Sequence, residues 1–326
     1  QDKLLFQPAV EPCWSFWPET GCQAWKCWGI ITKMIKFTEK RETIRKINKD
    51  VVVIYHNDCT DGFSSAWSAW KKFGNRADYV GIDPGSRPLA GLTNKEIYML
   101  DVIYPVQYLK KVVKENRKVV AIDHHFSNKE AFDLVENGLF DINHSGAVLS
   151  WNFFHPKEQV PKFIKYVEDM DLWRFKMPKT KEFISYMDTI SFSFLNWDKI
   201  YKDTENKLKF REYVKKGELI LSYQDTLINR IIDGYAELVN FLGYKVYAVN
   251  SPLFNSQIGN LLSRRLPPLG IVWSQSDNGK VHVSLRSDGT IDVSKLASKF
   301  KGGGGHKKSA GFYVEDLSKL PWKKIK

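Results

Sequence analysis

The chain has 326 residues, and 49 Lys and Arg against 37 Asp and Glu give it a formal charge of +12. At 43% hydrophobic and 14% aromatic it carries enough apolar side chain for a full core, which excludes wholesale disorder, and at about 100–200 residues per domain its length fits two domains. No apolar run approaches the roughly 20 residues of a membrane-crossing helix, so no membrane insertion is expected; the positive surplus suits a polyanionic partner such as nucleic acid, and equally a surface of solvated lysines.

Residues 1–48 read as an extension. Cys13, Cys22 and Cys27 lie within it, too clustered for a secreted disulfide framework and without the close Cys pairs of a four-ligand zinc site, so they read as free thiols. Trp14, Trp17, Trp25 and Trp28 give the same arm an aromatic density that suits docking, on its own body or on a partner. The chain starts at Gln1 rather than Met, which favours a fragment or a processed product. The expected setting is soluble and intracellular, in the cytoplasm or, if a leader has been removed, the mitochondrial matrix.

From Val51 short apolar runs alternate with amphipathic stretches, the pattern of βα units around a largely parallel sheet. Strands are expected over VVVIYH, DYVGI, EIYMLD and KVVAIDHH, with helices over GFSSAWSAWKKFG, VQYLKKVVKENR, GAVLSWNFF and PKFIKYVEDMDLW. These complete a first lobe at residues 49–175. Residues 176–242 read as a mainly helical linker. Strands return in KVYAVN, LGIVWSQ and KVHVSLRS, separated by helices over SQIGNLLSRRL and DVSKLASKF, and KGGGGHKKSAGFYV leads from a glycine loop into a last strand. Residues 243–326, with their Lys-rich end, form a smaller α/β domain.

Four clusters carry the chemistry: His56, Asp58, Cys59 and Asp61 after the first strand; Asp101 after a later one; Asp123-His124-His125; and Asp169-x-Asp171. Taken singly, each reads as a capped turn, a loop acid or a solvated helix face. Yet all four fall at the same topological end of consecutive βα elements, where the carboxyl ends of parallel strands form a binding crevice. Carboxylates gathered there repel one another unless cations neutralise them. Oxygen-rich ligands with one or two imidazoles suit Mn²⁺ or Mg²⁺ better than Zn²⁺. Two such ions about 3.5–4 Å apart activate a water and stabilise the entering and leaving oxygens at phosphorus. The residues therefore point to phosphoester hydrolysis. Gly302 to Gly305 leave backbone N–H groups free to cradle a phosphate, His306 follows them, and Arg286 offers a planar fork for phosphate oxygens. Lys307 and Lys308 read as a solvated pair.

HNDCTDGFSSA, MLD, AIDHH and EDMDLW, in that order, resemble the four motifs of the DHH phosphoesterases, and SLRSDGTIDVSKLASKFKGGGGHKKSAGF resembles their DHH-associated C-terminal domain with its GGGH signature. The likeness spans roughly residues 50–315 and is nearest to the oligoribonuclease and RecJ-like branch. It implies an α/β fold with a parallel-sheet catalytic domain, a helical linker and a smaller substrate-binding α/β domain. It also implies an enzyme dependent on Mn²⁺ or Mg²⁺, with two ions, that hydrolyses short single-stranded oligonucleotides or related nucleotides.

Carried over position by position, the likeness gives metal ligands at His56, Asp61, Asp101 and His124, and at Asp171 or Asp169. Asp123 would orient a neighbour, and His125 would approach the scissile phosphate. Arg286, Gly303, Gly304, Gly305 and His306 would grip the substrate. Many members carry Asp-x-Asp before the glycine, where this chain has Cys59 two residues before Asp61. Either Asp58 reaches the first metal through a local bulge or that metal is held less tightly. Cys59 itself reads as a buried thiol, with a thiolate ligand as the alternative. The competing reading is a catalytically reduced subunit of the same fold, docked through its basic surface and Trp-rich arm in a protein or RNA-rich assembly.

Overall fold

In the computed structural model, which describes residues 47–135 and 137–325, the run VVVIYH forms strand β1 (Val51–His56). Val52, Val53 and Ile54 are fully buried, as expected of a strand covered on both faces of a parallel sheet. Helix α1 (Thr60–Phe73) follows, stopped by Gly74 at φ 55°. Strands β2 (Ala77–Ile82) and β3 (Glu96–Leu100) come next, then helix α2 (Val106–Glu115), strand β4 (Lys118–Asp123), the single turn α3 (Lys129–Phe132) and the short strand β5 (Asn137–Phe140). These five strands pair in parallel in the order β2-β1-β3-β4-β5. In such doubly wound sheets the crevice opens beyond the carboxyl ends of the strands where the order reverses, here between β1 and β3.

Residue alternation divides the sheet between two cores. Val52, Ile54, Ile97 and Met99 face Leu109 and Val112 of α2, whereas Val53, Leu100, Val120 and Ile122 face Ala69 of α1 and Leu149 of helix α4 (Gly146–Phe154). Behind α1 and α4 lies a helical layer made by α5 (Lys162–Asp171), α6 (Thr180–Met187), α7 (Phe194–Glu205) and the start of α8 (Lys207–Tyr235). Trp67, Trp151, Phe163, Phe183 and Trp197 fill it. The indole of Trp197 donates to Ser64 Oγ at 3.0 Å, tying α7 to α1.

At 29 residues and 1.5 Å per residue, α8 is about 44 Å long. Tyr213 packs in the helical layer, while Ile228 and Ile232 pack with Ile258 and Leu262 of helix α9 (Asn255–Arg265) in the second lobe. That lobe contains β6 (Glu237–Phe241), β7 (Tyr244–Asn250), β8 (Leu269–Gln275), β9 (Val281–Ser287), the short helix α10 (Val293–Ala297), β10 (Gly304–His306), β11 (Ser309–Val314) and β12 (Trp322–Lys324). Its sheet runs β10-β11-β9-β8-β7-β6-β12, with β7 and β8 parallel and the other pairs antiparallel.

The α/β class is as expected, and the details depart from the sequence reading in three places. The stretch 176–242, read as a mainly helical linker, does more than link: α6, α7 and the start of α8 share the apolar core of the first lobe, and residues 237–241 form β6, whose alternate residues Val239 and Phe241 are fully buried. The Lys-rich end contributes a strand, since β12 pairs antiparallel with β6. Strand β5 was not foreseen, because NGLF lacks the branched and aromatic density of a strand signal. The thiols and tryptophans of the N-terminal extension lie outside the described residues.

The packing of α6 on α8 has little slack. A Cβ built on Gly217 would meet the Glu182 carbonyl oxygen at 1.6 Å, so the two helices must separate to admit one. Gly217→Ala is expected to cost about 1–3 kcal/mol, the range for overpacked cores, measured as a lowered urea midpoint with an unchanged denaturant slope.

Candidate metal centre and facing cleft

His56 ends β1, Asp61 lies in the first turn of α1, Asp101 follows β3, and Asp123 ends β4 with His124 and His125 directly after it. Parallel pairing therefore sets side chains some 65 positions apart in sequence beside one another. The middle of the group is His124, whose Nε2 lies 3.3 Å from Asp101 Oδ1, 3.5 Å from Asp171 Oδ2 and 3.9 Å from Asp61 Oδ2. On the far side of Asp101, Oδ2 is 3.2 Å from His56 Nδ1 and 3.7 Å from Cys59 Sγ.

The backbone of α4 closes the group from below. Ala147 N–H in its first turn donates to Asp61 Oδ1 at 3.0 Å, so one oxygen of that carboxylate is held by the positive end of a helix. Ser145 caps the helix by accepting from Val148 N–H. The other Asp61 oxygen, Asp101 Oδ1 and both ring nitrogens of His124 are buried without a hydrogen-bond partner among the described residues. Buried polar atoms are rarely left so, and clustered examples mark a place for an ion or water.

Charge perturbations follow from this crowding. Burial, then Asp101 and Asp171, push the Asp61 carboxyl well above its ordinary range. Burial pushes Asp171 up to about 6 against the pull of His124. At Asp101 burial acts in the same sense, but His124 and His56 outweigh it and hold this carboxyl well below the usual range. Burial disfavours an imidazolium at His124, yet Asp101, Asp171 and Asp61 prevail and raise it to about 9. Protons thus do the neutralising in the absence of a cation. A divalent ion can take over that role, releasing them as it binds.

The structure sorts the expected ligands into two sets. His56, Asp61, Asp101, His124 and Asp171 come together, in groups whose donor atoms lie within 4.8 Å of one another: His56, Cys59 and Asp101 form one, Asp61, His124 and Asp171 another, and a third of Asp101, Asp123, His124 and His125 overlaps both. Asp58 and Asp169 stand apart. Asp58 is exposed in a turn at φ 49° and belongs to no such group, so no bulge carries it inward. Asp169 is buried, and its oxygens accept from Lys176 N–H, Met177 N–H and Thr180 Oγ1; it secures the turn after α5. Of the two acids in that motif, Asp171 is the one that reaches the centre.

The pair His124-His125 does not split to opposite sides as strand alternation predicts. The strand ends at Asp123, and the two rings lie 4.4 Å apart between centroids. Asp123 Oδ1 accepts from the backbone N–H groups of both histidines and from His125 Nδ1 at 2.7 Å, and Oδ2 accepts from Asn128. It therefore orients His125, whose pKa rises to about 10 because Asp123 and Asp101 outweigh burial.

Across from this group lies a cleft of about 790 Å³. His124, His125 and Asp171 line one wall together with Phe126 and Trp173; Arg286, Gly305, His306, Lys307 and Lys308 line the other. The His306 ring is 5.7 Å from that of His125, and burial, then His125 and His124, lower its pKa to about 4. Arg286 donates to Ser256 Oγ and Ser284 Oγ, both at 2.9 Å, which fixes its fork beside the cleft. Burial lowers its pKa to about 10, so it stays charged.

The glycines have divided roles. Gly305 lines the cleft, while a Cβ on Gly303 would meet the Ala297 carbonyl oxygen at 1.9 Å, so Gly303 serves the packing of the loop on α10; Gly304 pairs within β10. Lys307 and Lys308, read from sequence as a solvated pair, border the cleft. Sequence reasoning missed Phe126, Trp173, Asn128 and Ser256. Only the aromatic residues beside the Asp-His-His and Asp-x-Asp-Leu-Trp runs offered a signal, since a lone Asn or Ser carries none.

Residues 245–322 match the DHHA1 domain. The chain is 30% identical over 305 residues to uncharacterized protein R106 of Acanthamoeba polyphaga mimivirus, an alignment covering 85% of this chain and 71% of that protein. It is 26% identical over 230 residues to oligoribonuclease NrnB of Bacillus subtilis (strain 168), covering 64% of this chain and 56% of that one. Two crystal structures align over 82% of the chain. One is of an uncharacterized protein from Helicobacter pylori G27, at 16% identity, TM-score 0.42 and 94% of its length. The other is of an exopolyphosphatase-related protein from Bacteroides fragilis, at 14%, 0.43 and 88%.

Cation binding has a thermodynamic signature. A ligand present at about 100 times its Kd adds about 2.7 kcal/mol to the folded state. Mn²⁺ at that excess is expected to raise the melting temperature, EDTA to reverse the rise, and Asp101→Ala, which removes a donor shared by both flanks of the centre, to erase it in scanning calorimetry.

Proposed function

The chain belongs to the DHH phosphoesterase family, and we propose on that footing that it hydrolyses phosphodiester bonds of short single-stranded oligonucleotides or related nucleotides. The observation that carries this reading is the facing of the buried, unpartnered atoms of Asp61, Asp101 and His124, with Asp171 beside them, by a cationic wall across one cleft. His56, Asp61, Asp101, His124 and Asp171 would hold two divalent cations, Mn²⁺ or Mg²⁺ at the oxygen-rich flank. Bound there, such ions lower the pKa of water and stabilise charge that develops on phosphoryl oxygens.

The chain's own side chains do the rest. Arg286 is pre-oriented by Ser256 and Ser284 and presents donors to a phosphate in bidentate fashion. Lys307 and Lys308 add charge at the rim, and neutral His306 can donate a hydrogen bond from its ring without adding a proton load. Asp123 fixes His125 through Nδ1, leaving Nε2 as the nitrogen that delivers a proton to the leaving oxygen. Phe126, 58% exposed, and the half-buried Trp173 give the catalytic wall two aromatic faces. Aromatic faces stack bases at about 1–3 kcal/mol each and offer nothing to inorganic polyphosphate, which favours a base-bearing substrate. The name of the Bacillus relative points the same way.

Purified protein with Mn²⁺ is to be incubated with labelled di- to decanucleotides, cyclic dinucleotides, nucleoside bisphosphates and pyrophosphate. Release of mononucleotides from the short oligomers is expected. No turnover of any member, with recovery of the chain in a large complex, would overturn the reading in favour of a non-catalytic subunit.

His124→Ala is expected to lower the rate by more than about 100-fold, since removing even the residue behind a ligand costs 10–100-fold, with circular dichroism unchanged. Arg286→Ala should instead raise KM by roughly 10–100-fold, the worth of one charged hydrogen-bonding group, with kcat largely kept.

A further inference from the structure

The two flanks of the centre differ in donor chemistry, and the difference lies in Cys59. This residue occupies the N-cap of α1 with extended backbone, a place where Ser, Thr, Asp or Asn normally uses its side chain to bond the first turn. The Cys59 side chain makes no such bond. Its sulfur turns instead toward Asp101, 3.7 Å from Oδ2, with His56 Nδ1 3.2 Å from the same oxygen. One imidazole nitrogen, one sulfur and one carboxylate oxygen thus converge within 4.8 Å of one another. Bonds of about 2.0–2.3 Å to a tetrahedral ion set its donors about 3.3–3.8 Å apart, close to both spacings. Asp101 joins the two flanks: its side chain is 1% exposed, Oδ2 faces His56 and Cys59, and Oδ1, unbonded among the described residues, faces His124. The other flank, Asp61, His124 and Asp171, offers two carboxylates and one imidazole, a harder set.

We infer that the centre holds two unlike cations, with Cys59 as a thiolate ligand, beside His56 and Asp101, for a softer ion of the Zn²⁺, Fe²⁺ or Co²⁺ class, and with Asp61, His124 and Asp171 taking Mn²⁺ or Mg²⁺. Sulfur and nitrogen donors select the softer ions, whereas carboxylates accept the hard ones. A coordinated thiol is deprotonated, so the N/S/O flank would carry two negative charges and a neutral imidazole, matching the charge of a divalent ion. This inference rests on the two-cation reading above and refines which ion sits where.

The test is optical and needs no substrate. In the full chain with Cys13, Cys22 and Cys27 replaced by Ser, metal-free protein is titrated with Co²⁺. The expected result is a sulfur-to-cobalt charge-transfer band in the near ultraviolet that saturates at one equivalent, is absent in Cys59→Ser, and is bleached by Zn²⁺ but not by Mg²⁺. Cys59→Asp should lower the preference for Zn²⁺ over Mn²⁺, read as a ratio of calorimetric Kd values, by on the order of tenfold or more. Cobalt bound stoichiometrically, by its visible ligand-field spectrum, with the same near-ultraviolet absorbance in parent and Cys59→Ser would overturn the inference while leaving the two-cation centre intact. No cation bound at all would overturn both.

Discussion

The mutual repulsion of Asp61, Asp101 and Asp171 around His124 is the constraint on which the rest of the structure turns. Three carboxylates this close cannot all stay ionised in a half-buried site without positive charge among them. The fold supplies part of that charge from fixed dipoles, at the N-terminus of α4 where Ala147 N–H holds Asp61, and part from His124 beside Asp101. The remainder has no source among the described residues, as the bare oxygens of Asp61 and Asp101 show. A chain that folds around such a group keeps a site whose natural complement is a divalent cation.

Precision at the centre comes from the elements beneath it. His56, Asp101 and Asp123 to His125 follow three adjacent strands in register, so their spacing is that of neighbouring strands and changes only if the sheet does. The cationic wall has a different origin. It belongs to β9 and β10 in a lobe with its own sheet, joined to the first through one helix, α8, whose two ends are built into separate apolar cores. Apart from the packing around His306, the width of the cleft is therefore set by the direction of α8 and not by either sheet, and a bend in that helix would alter reach without disturbing the centre.

Much of this was legible in the sequence because it is periodic or clustered. The buried strands announce themselves as apolar runs rich in Val and Ile, three of the four acidic or histidine clusters sit where such runs end, and the fourth ends helix α5. What escaped was set by packing rather than pattern. Asp58 and Asp169 stand three and two residues before Asp61 and Asp171, and only the turn at Asp58 and the backbone donors around Asp169 separate them from these cluster members. The packing of the stretch 176–242, read as a linker, escaped for a related reason: helices that share a core with distant segments look, in one dimension, like helices that share it with nothing. Strand β6 hid because five residues with two inward-facing side chains make a weak signal after a long helix.

The +12 surplus divides in a way that composition alone conceals. In the proposed function its bearing on substrate would come from Arg286, Lys307 and Lys308, because they stand across a cleft from carboxylates rather than among them. A phosphate entering there would meet donors on one side and, with cations bound, positive charge on the other, so that in the proposed function binding and reaction would draw on the same approach. Phe126 and Trp173 share the wall with the acids, and a base stacked on either would set the sugar-phosphate backbone between the two walls. Under the proposed function the polarity of the cleft ties together charge, aromatic content and fold: its two polar walls would receive the phosphate, and its aromatic faces would distinguish a nucleotide from a bare polyanion.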